Sequence, residues 1–420
     1  MVRPSGPAVG SGALAGLRVC DLTGQLAGAG ATRFLAALGA EVIRVEDPVR
    51  QGRWDILRGA PPFVDERRGV NVGGAFNNHN VGKLGVTINL RDPRGRHLFE
   101  ELVAVSDVVT ENFAAGVMER LGLGYDRLCE IRPEIIYVSQ SGFGHSGPYR
   151  EFKTWGPIVQ AMSGLTATSG LASRPPAGWG YSLMDHAGAY LMGLAVLGAV
   201  VHRGRTGRGQ WIDLAAVEAG ATLTGPAILD TTVNLARAAV GGTSSNRDPG
   251  MAPHGIYPAL GDDRWIAIAC RTDGEWEVLR TMIDLDWAGD QQLAVVRGRK
   301  AREDELDALM AAWTAGQVDH ELAAALRSAG VPAAAVLRPE ERIDGPSGGR
   351  EPGPWLFPEV HHDEMGPVRV DGLPLQLSRT PWAIDRAAPC LGADNDRVFG
   401  ELLGRDRAAL DRLRADNVIS

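Results

Sequence analysis

Apolar positions in the first 215 residues fall into short buried-looking runs that alternate with longer periodic stretches. Leu17–Thr23 is a mostly apolar run bounded by Gly24 and reads as a buried strand. A turn follows, Gly24-Gln25-Leu26-Ala27-Gly28-Ala29-Gly30. Thr32–Leu38 is then apolar at helical spacing, with Gly39 placed as a helix stop. Ala40–Glu46 is a second strand, which completes a strand-helix-strand unit. The order repeats with a strand over Leu84–Leu90, a helix over Pro93–Val105 and a strand over Asp107–Asn112. Next come a helix ending at Leu128–Arg132 and a strand over Ile135–Ser139. This alternation predicts an α/β fold, a doubly wound, Rossmann-like parallel sheet.

The pattern lapses over Tyr149–Leu183, which is rich in Gly, Pro, Ser and Thr yet carries Trp155, Ile158, Val159, Met162 and Trp179. A long apolar helix then opens at Asp185-His186. It is followed by a turn over Arg205–Gly209 and a strand over Gln210–Ala215. From Ala227 the character changes. Gly241–Ala252 reads as a linker, and Gly255–Leu260 with Arg264–Ala269 as a hairpin around Gly261-Asp-Asp263. Asp273–Ala329 is mostly helical. Val331–Leu337 is a short strand, Pro339–Arg386 is loop-rich and Asp394–Ala415 is a charged helix. The expected division is a flexible tail over 1–16, a large domain over 17–226, a smaller α+β domain over 227–330, and a segment over 331–420 that returns to the large domain.

Composition narrows the function. The net charge is -8 and no long basic run exists to neutralise phosphates, which argues against a nucleic-acid partner. Cys20, Cys129, Cys270 and Cys390 are far apart and none forms a CxxC pair, so neither a metal site nor a redox dithiol is expected. A reduced compartment, the cytoplasm, fits best. Met1–Gly16 lacks the basic start and apolar core of a signal peptide. The longest apolar run, Leu191–Val201, is short for a membrane span, so no membrane association is expected.

Several places carry candidate chemistry. The amides of the Gly24–Gly30 turn could cradle a phosphate or thioester, although the spacing is not GxGxxG and glycines also serve tight turns. Lys83 is either a phosphate ligand or a solvated surface lysine. Asn112 and Phe113 stand at a strand's C-terminal end, where open α/β sheets bind ligands, with Arg120 a turn or two beyond. An amide, an aromatic ring and a guanidinium together suit a phosphorylated nucleotide, while capping and a surface ion pair would use the same residues. Ser141-Gly142-Phe143-Gly144 follows another strand end and could wall a pocket. Ser139, Ser141 and His145 lack the GxSxG elbow of a hydrolase. Asp185 stands where a helix begins. A carboxylate there is either a helix N-cap or a nucleophile pre-aimed by the helix end.

Taken in order, these pieces resemble the class III CoA-transferase family, which includes the formyl-CoA, carnitine and bile-acid CoA-transferases. The resemblance runs from Leu17–Leu22 and Ala27-Gly28 through Leu38–Glu46, Asn80–Lys83, Glu111–Phe113 and Arg120–Gly122. It continues through Ser141–Gly144, Gly147–Tyr149, Gln160–Gly164, Asp185 and His202–Gln210 to Gly330–Pro332, Leu391–Ala393 and Leu402–Gly404. It implies an interlocked homodimer of two-domain α/β subunits that moves CoA from an acyl-CoA to a free carboxylic acid. Asp185 would be the nucleophile, passing through an aspartyl-acyl anhydride and an aspartyl-CoA thioester. Lys83, Asn112, Phe113 and Arg120, with Gln25 and Ala27 of the first turn, would contact CoA. Ser141, Gly142, Phe143, Gly144 and Trp155 would line the acyl pocket. CoA and acyl-CoA enter as substrates, and no tightly bound cofactor is implied.

Two departures bear on specificity. Gly250–Gly255 is not the glycine-only run of formyl-CoA transferases, and Asp47 stands where some relatives carry a basic group. The fold also serves 2-methylacyl-CoA racemases, but Phe152–Gln160 lacks the histidine that racemization would use as its second acid-base group. A non-catalytic CoA-binding subunit is the third alternative, and the presence of Asp185 argues against it.

Overall fold

The first strand, β1 (Arg18–Asp21), leads into α1 (Ala27–Ala37) and then β2 (Glu41–Glu46). After α2 (Gly74–Asn80) come β3 (Leu84–Thr87), α3 (Pro93–Ala104), β4 (Val108–Glu111), α4 (Val117–Arg120), α5 (Tyr125–Ile131) and β5 (Ile136–Ser141). Then follow α6 (Gly156–Met162), α7 (Leu183–Thr206), β6 (Gln210–Ala215), α8 (Ala216–Leu223) and α9 (Gly225–Asn234). This computed structural model describes residues 12–170, 174–179, 182–234, 247–344 and 356–420. Most of the 1–16 tail, Gly180-Tyr181 and much of the Gly241–Ala252 linker lie outside the described residues.

All six strands pair in parallel, in the order β3-β2-β1-β4-β5-β6. The strand order reverses between β1 and β4, where doubly wound sheets open their ligand crevice. Both faces of the sheet are apolar, which is why the strands read as near-continuous hydrophobic runs. Cys20, Val109 and Tyr137 point to a core filled by Leu98, Phe99, Leu102 and Leu128 from α3 and α5. Val19, Val108, Ile136 and Val138 point the other way, onto Ala31 and Leu35 of α1 and Ala189, Met192 and Val196 of α7.

The described residues divide into two units. The larger holds the residues up to Leu165, those from Trp179 to 234, and 356–420. The smaller holds 166–178 and 247–344. In the smaller unit the expected hairpin is present as β7 (His254–Pro258) against β8 (Trp265–Ala269). Helices α10 (Asp273–Ile283), α11 (Val296–Ala301), α12 (Glu303–Thr314) and α13 (Asp319–Ser328) follow. The strand expected over Val331–Leu337 is β9 (Ala333–Ala335), which pairs with β8. Helix α10 starts at a reciprocal cap in which the Thr272 hydroxyl accepts from Glu275 N and the Glu275 carboxylate accepts from Thr272 N.

Four local expectations are corrected. Helix α1 begins at Ala27, so Gly28 and Gly30 are helical and only Gly24–Leu26 form the turn. The long helix begins at Leu183 with Ser182 at the N-cap position, so Asp185 is the third helical residue and not the cap. The apolar run Leu191–Val201 is part of that helix, which at 24 residues is long and apolar enough to cross a membrane by length and composition. In this fold its Ala189, Met192, Val196 and Ala199 stripe covers the sheet. The charged C-terminal stretch is two helices, a π-helix over Asp396–Leu402 and α15 (Arg407–Ala415). Gly404, with φ +70°, breaks them apart.

The loop-rich stretch after Pro339 contains a helix, α14 (Pro339–Asp344), and a hairpin of β10 (Glu359–His362) and β11 (Gly366–Arg369). The C-terminal segment closes the β3 edge of the sheet. Gly85 N donates to the Asp394 carboxylate (2.7 Å), Thr87 N to the Asn395 side chain (2.9 Å) and Asn89 N to Val418 O (2.8 Å). Edge donors that would otherwise pair with another chain are thereby used.

Candidate active site

The turn after β1 is shaped by three neighbours. Gly24 packs against the Trp54 ring, leaving no room for a Cβ, and Gln25 takes a left-handed φ of +58°. Asn112, at the end of β4, clamps the turn from the far side of the strand switch. Its Oδ1 accepts from Gly24 N (2.8 Å) and its Nδ2 donates to Gly24 O (2.9 Å). The Asn112 amide is therefore committed to the turn backbone and acts as a positioning group. Phe113 packs on Trp54 with ring centroids 5.3 Å apart. Arg120, at the end of α4, is exposed and has no ion-pair partner among the described residues.

Lys83 is a correction. It is fully buried, not at the surface and not open to a phosphate. Its ammonium donates to Thr32 Oγ1 (2.7 Å), Asn80 Oδ1 (2.9 Å), Asp21 Oδ2 (3.1 Å) and Ala29 O (3.1 Å). Burial pulls its pKa down to about 8, against the opposing pull of Asp21. Burial also pushes Asp21 up, but Lys83, Arg44 and the Thr23 and Thr32 hydroxyls together outweigh it and hold the carboxyl below its usual range. The pair anchors β1 to α1 from beneath.

Asp185 lies in the first turn of α7, with its carboxylate against the α-carbon of Gly156. A Cβ on Gly156 would stand 3.1 and 3.3 Å from the two oxygens. Burial raises the Asp185 pKa, and a hydrogen bond from the Ser182 side chain opposes this only in part. The helix end thus does not hold the group below its ordinary range, as the position alone suggests. A partly desolvated carboxylate keeps more of its basicity and nucleophilicity. Gly30 of α1 packs on Ala189, one turn beyond Asp185, with only 3.2 Å from a Cβ on Gly30 to the alanine methyl. The first turn and the carboxylate therefore share one end of the sheet.

The wall after β5 is built around Asp213. Gly144, with φ +75°, turns the chain so that His145 N donates to both Asp213 oxygens (2.9 and 3.0 Å). Gly142 packs so closely on the Thr154 side chain that a Cβ would collide with it. Phe143 joins an aromatic cluster with Tyr149 and Phe152, at centroid distances of 5.6 and 5.9 Å. Trp155 precedes α6 and is 55% exposed. Ser141 Oγ is buried with no hydrogen-bond partner among the described residues. Below this wall, Glu111 is buried, accepts from Phe113 N (2.7 Å) and from Tyr137 OH (3.3 Å), and is pushed up by burial to about 8. His145 Nε2 lies 3.6 Å from it, beyond hydrogen-bond distance.

Two features were not anticipated. One is Trp54, whose ring floors the first turn; an aromatic in a loop after a strand was its only signal. The other is Gln140, a buried carboxamide at the end of β5 with neither polar atom partnered among the described residues. A glutamine between two serines at the end of a strand is legible in the sequence, but its orientation is not.

Residues 14–395 match the description of CoA-transferase family III. The succinyl-CoA–D-citramalate CoA-transferase of Chloroflexus aurantiacus is 32% identical over 96% of this chain and 97% of its own length. The succinyl-CoA:mesaconate CoA-transferase of Haloarcula marismortui is 35% identical over 93% of this chain and 96% of its own. A crystal structure of a CAIB/BAIF family protein from Brucella suis superposes with a TM-score of 0.81 at 30% identity, covering 93% of this chain and all of that one. The chain belongs to CoA-transferase family III, and it is an enzyme of that class.

Proposed function

We propose that this enzyme transfers CoA from an acyl-CoA to a free carboxylic acid with Asp185 as the covalent carrier. The observation that carries the reading is the Asp185 carboxylate itself, partly desolvated and lodged against the bare backbone of Gly156. One Asp185 oxygen attacks the thioester carbonyl, a C–O bond forms, the C–S bond breaks, and CoA leaves as thiolate. The thiolate then attacks the Asp185 carbonyl carbon of the anhydride and expels the donor acid as carboxylate. The acceptor carboxylate attacks the aspartyl-CoA thioester, forming a new anhydride and releasing the thiolate. Attack of that thiolate on the acceptor's acyl carbon yields the new acyl-CoA and restores Asp185. Each step exchanges one bond at a carbonyl for another, so no separate base is required.

Gln25 of the first turn, Ala27 at the start of α1, Phe113 and exposed Arg120 are the groups that would meet CoA, with Arg120 matched to a phosphate. Asn112 holds the turn that carries Gln25. Ser141–Gly144 and Trp155 wall the acyl group. Succinyl-CoA is the donor to try first, because it is the donor named for the Chloroflexus and Haloarcula relatives. The enzyme works as an interlocked homodimer in the cytoplasm. Exposed apolar side chains on α7–α9, including Leu194, Leu229 and Val233, support a partner copy.

The test is trapping. After succinyl-CoA is added, hydroxylamine should leave a hydroxamate on Asp185, located by mass spectrometry. No adduct with a broad acyl-CoA panel would refute the reading.

A further inference from the structure

Gln140 is the fifth residue of β5, and by strand alternation it shares the α7-facing side with Ile136 and Val138. An apolar side chain would fill this place at no polar cost. Instead the residue is 3% exposed, and neither Nε2 nor Oε1 has a hydrogen-bond partner among the described residues. Burying both ends of a carboxamide unpaired is costly, and such groups mark sites where something else supplies the bonds.

The amide has a defined place. Its Nε2 occupies the space where a Cβ on Gly188 would be built. Gly188 lies three residues after Asp185 on α7. Helical side chains lean toward the helix N-terminus, so the patch belonging to position 188 lies over the turn that carries Asp185. Cβ positions three or four residues apart on a helix are about 5–6 Å apart. The Gln140 amide thus sits behind the nucleophile at the reach of a short acyl chain. A second amide lies nearby in the fold. Gln160 Nε2 is buried and unpartnered, four residues along α6 from the Gly156 that touches the Asp185 carboxylate.

We infer that Gln140 is a specificity-determining residue that reads a second polar group, a hydroxyl or carboxylate, in the acyl chain carried by Asp185. Its N–H donates to that group, and its carbonyl oxygen accepts from a hydroxyl. A pocket whose buried donor and acceptor wait for a polar partner rejects the hydrocarbon analogue, because binding the analogue leaves both unpaired. The inference rests on the transfer reading above.

The test compares acceptors of one chain length, succinate, 4-hydroxybutanoate and butanoate, by kcat/KM with succinyl-CoA as donor for the last two and another acyl-CoA for succinate. The wild-type enzyme should favour the two polar acids over butanoate by about 100-fold or more. Gln140→Met, close in shape, and Gln140→Leu should erase most of that preference through the polar acids while leaving butanoate within a few fold. Both variants should melt no lower than wild type, because an unpaired polar group has been removed. Unchanged selectivity, an equal loss on all three acids, or a wild-type preference for butanoate would overturn the inference. Absence of the Asp185 adduct in the wild type would instead remove the transfer reading and this inference with it, whereas an adduct with unchanged selectivity removes Gln140 alone.

Discussion

Replacing Glu111 with glutamine probes the electrostatics beneath the wall after β5. Glu111 is fully buried, and burial lifts its pKa from the ordinary 4.5 to about 8. Below about pH 4.5 both folded and unfolded chains hold the proton, and the residue carries no penalty. Between 4.5 and about 8 the unfolded chain releases the proton while the folded chain keeps it, so stability falls as pH rises. Each unit is worth about 1.4 kcal/mol, so the full penalty above pH 8 is on the order of 5 kcal/mol. Glutamine removes the ionisable group but keeps the local bonds. Its carbonyl can accept from Phe113 N, and its amide can donate to the Tyr137 oxygen. Urea unfolding of wild type and Glu111→Gln should give nearly equal stabilities at pH 5, and the variant should be more stable by several kcal/mol at pH 8.5. A difference that does not change with pH would refute the reasoning, because it would mean that Glu111 is not held neutral.

Other outcomes follow from the same geometry. Asp185→Ala should abolish turnover with an unchanged circular dichroism spectrum, and substantial residual activity would exclude the carrier role. Because the Asp185 pKa is raised, the acidic limb of kcat should lie at higher pH than for an ordinary carboxylate; a pH–rate profile checks this. Lys83→Met should destabilise the enzyme by about 3–5 kcal/mol, because it leaves Asp21 buried without its cation; chemical unfolding measures it. Arg120→Ala should raise the KM for acyl-CoA about 10-fold with little change in kcat, and no change would remove Arg120 from CoA binding.

The parallel sheet was legible in the sequence because burial on both faces leaves apolar runs between glycine punctuation, as at Leu17–Thr23 and Ala40–Glu46. Element ends were less legible. Helix α1 absorbed Gly28 and Gly30, because close packing on Thr23 and Ala189 favours a residue without a side chain more than propensity disfavours it. The charged C-terminal run looked continuous because Gly404 and the π-turn before it leave its polar spacing intact. Among site residues, Asp185 stood out through its place at a helix start. The sign of its pKa did not, since desolvation depends on what packs around it. Lys83 misled for the same reason: a lysine after a glycine says nothing about whether Asp21 and Thr32 wait beneath it.

The closing of the β3 edge has a consequence for synthesis. Thr87 meets the Ser420 hydroxyl at 2.9 Å across a sequence separation of 333 positions, and Asn395 bonds Thr87 from nearly as far along the chain. As the chain leaves the ribosome, the sheet exists with an open edge while the whole smaller unit is still being made. Contacts of such long sequence separation form late and slowly. Until residues 394–420 emerge, the nascent protein presents an unpaired strand. A chaperone that shields strand edges would have its longest opportunity there.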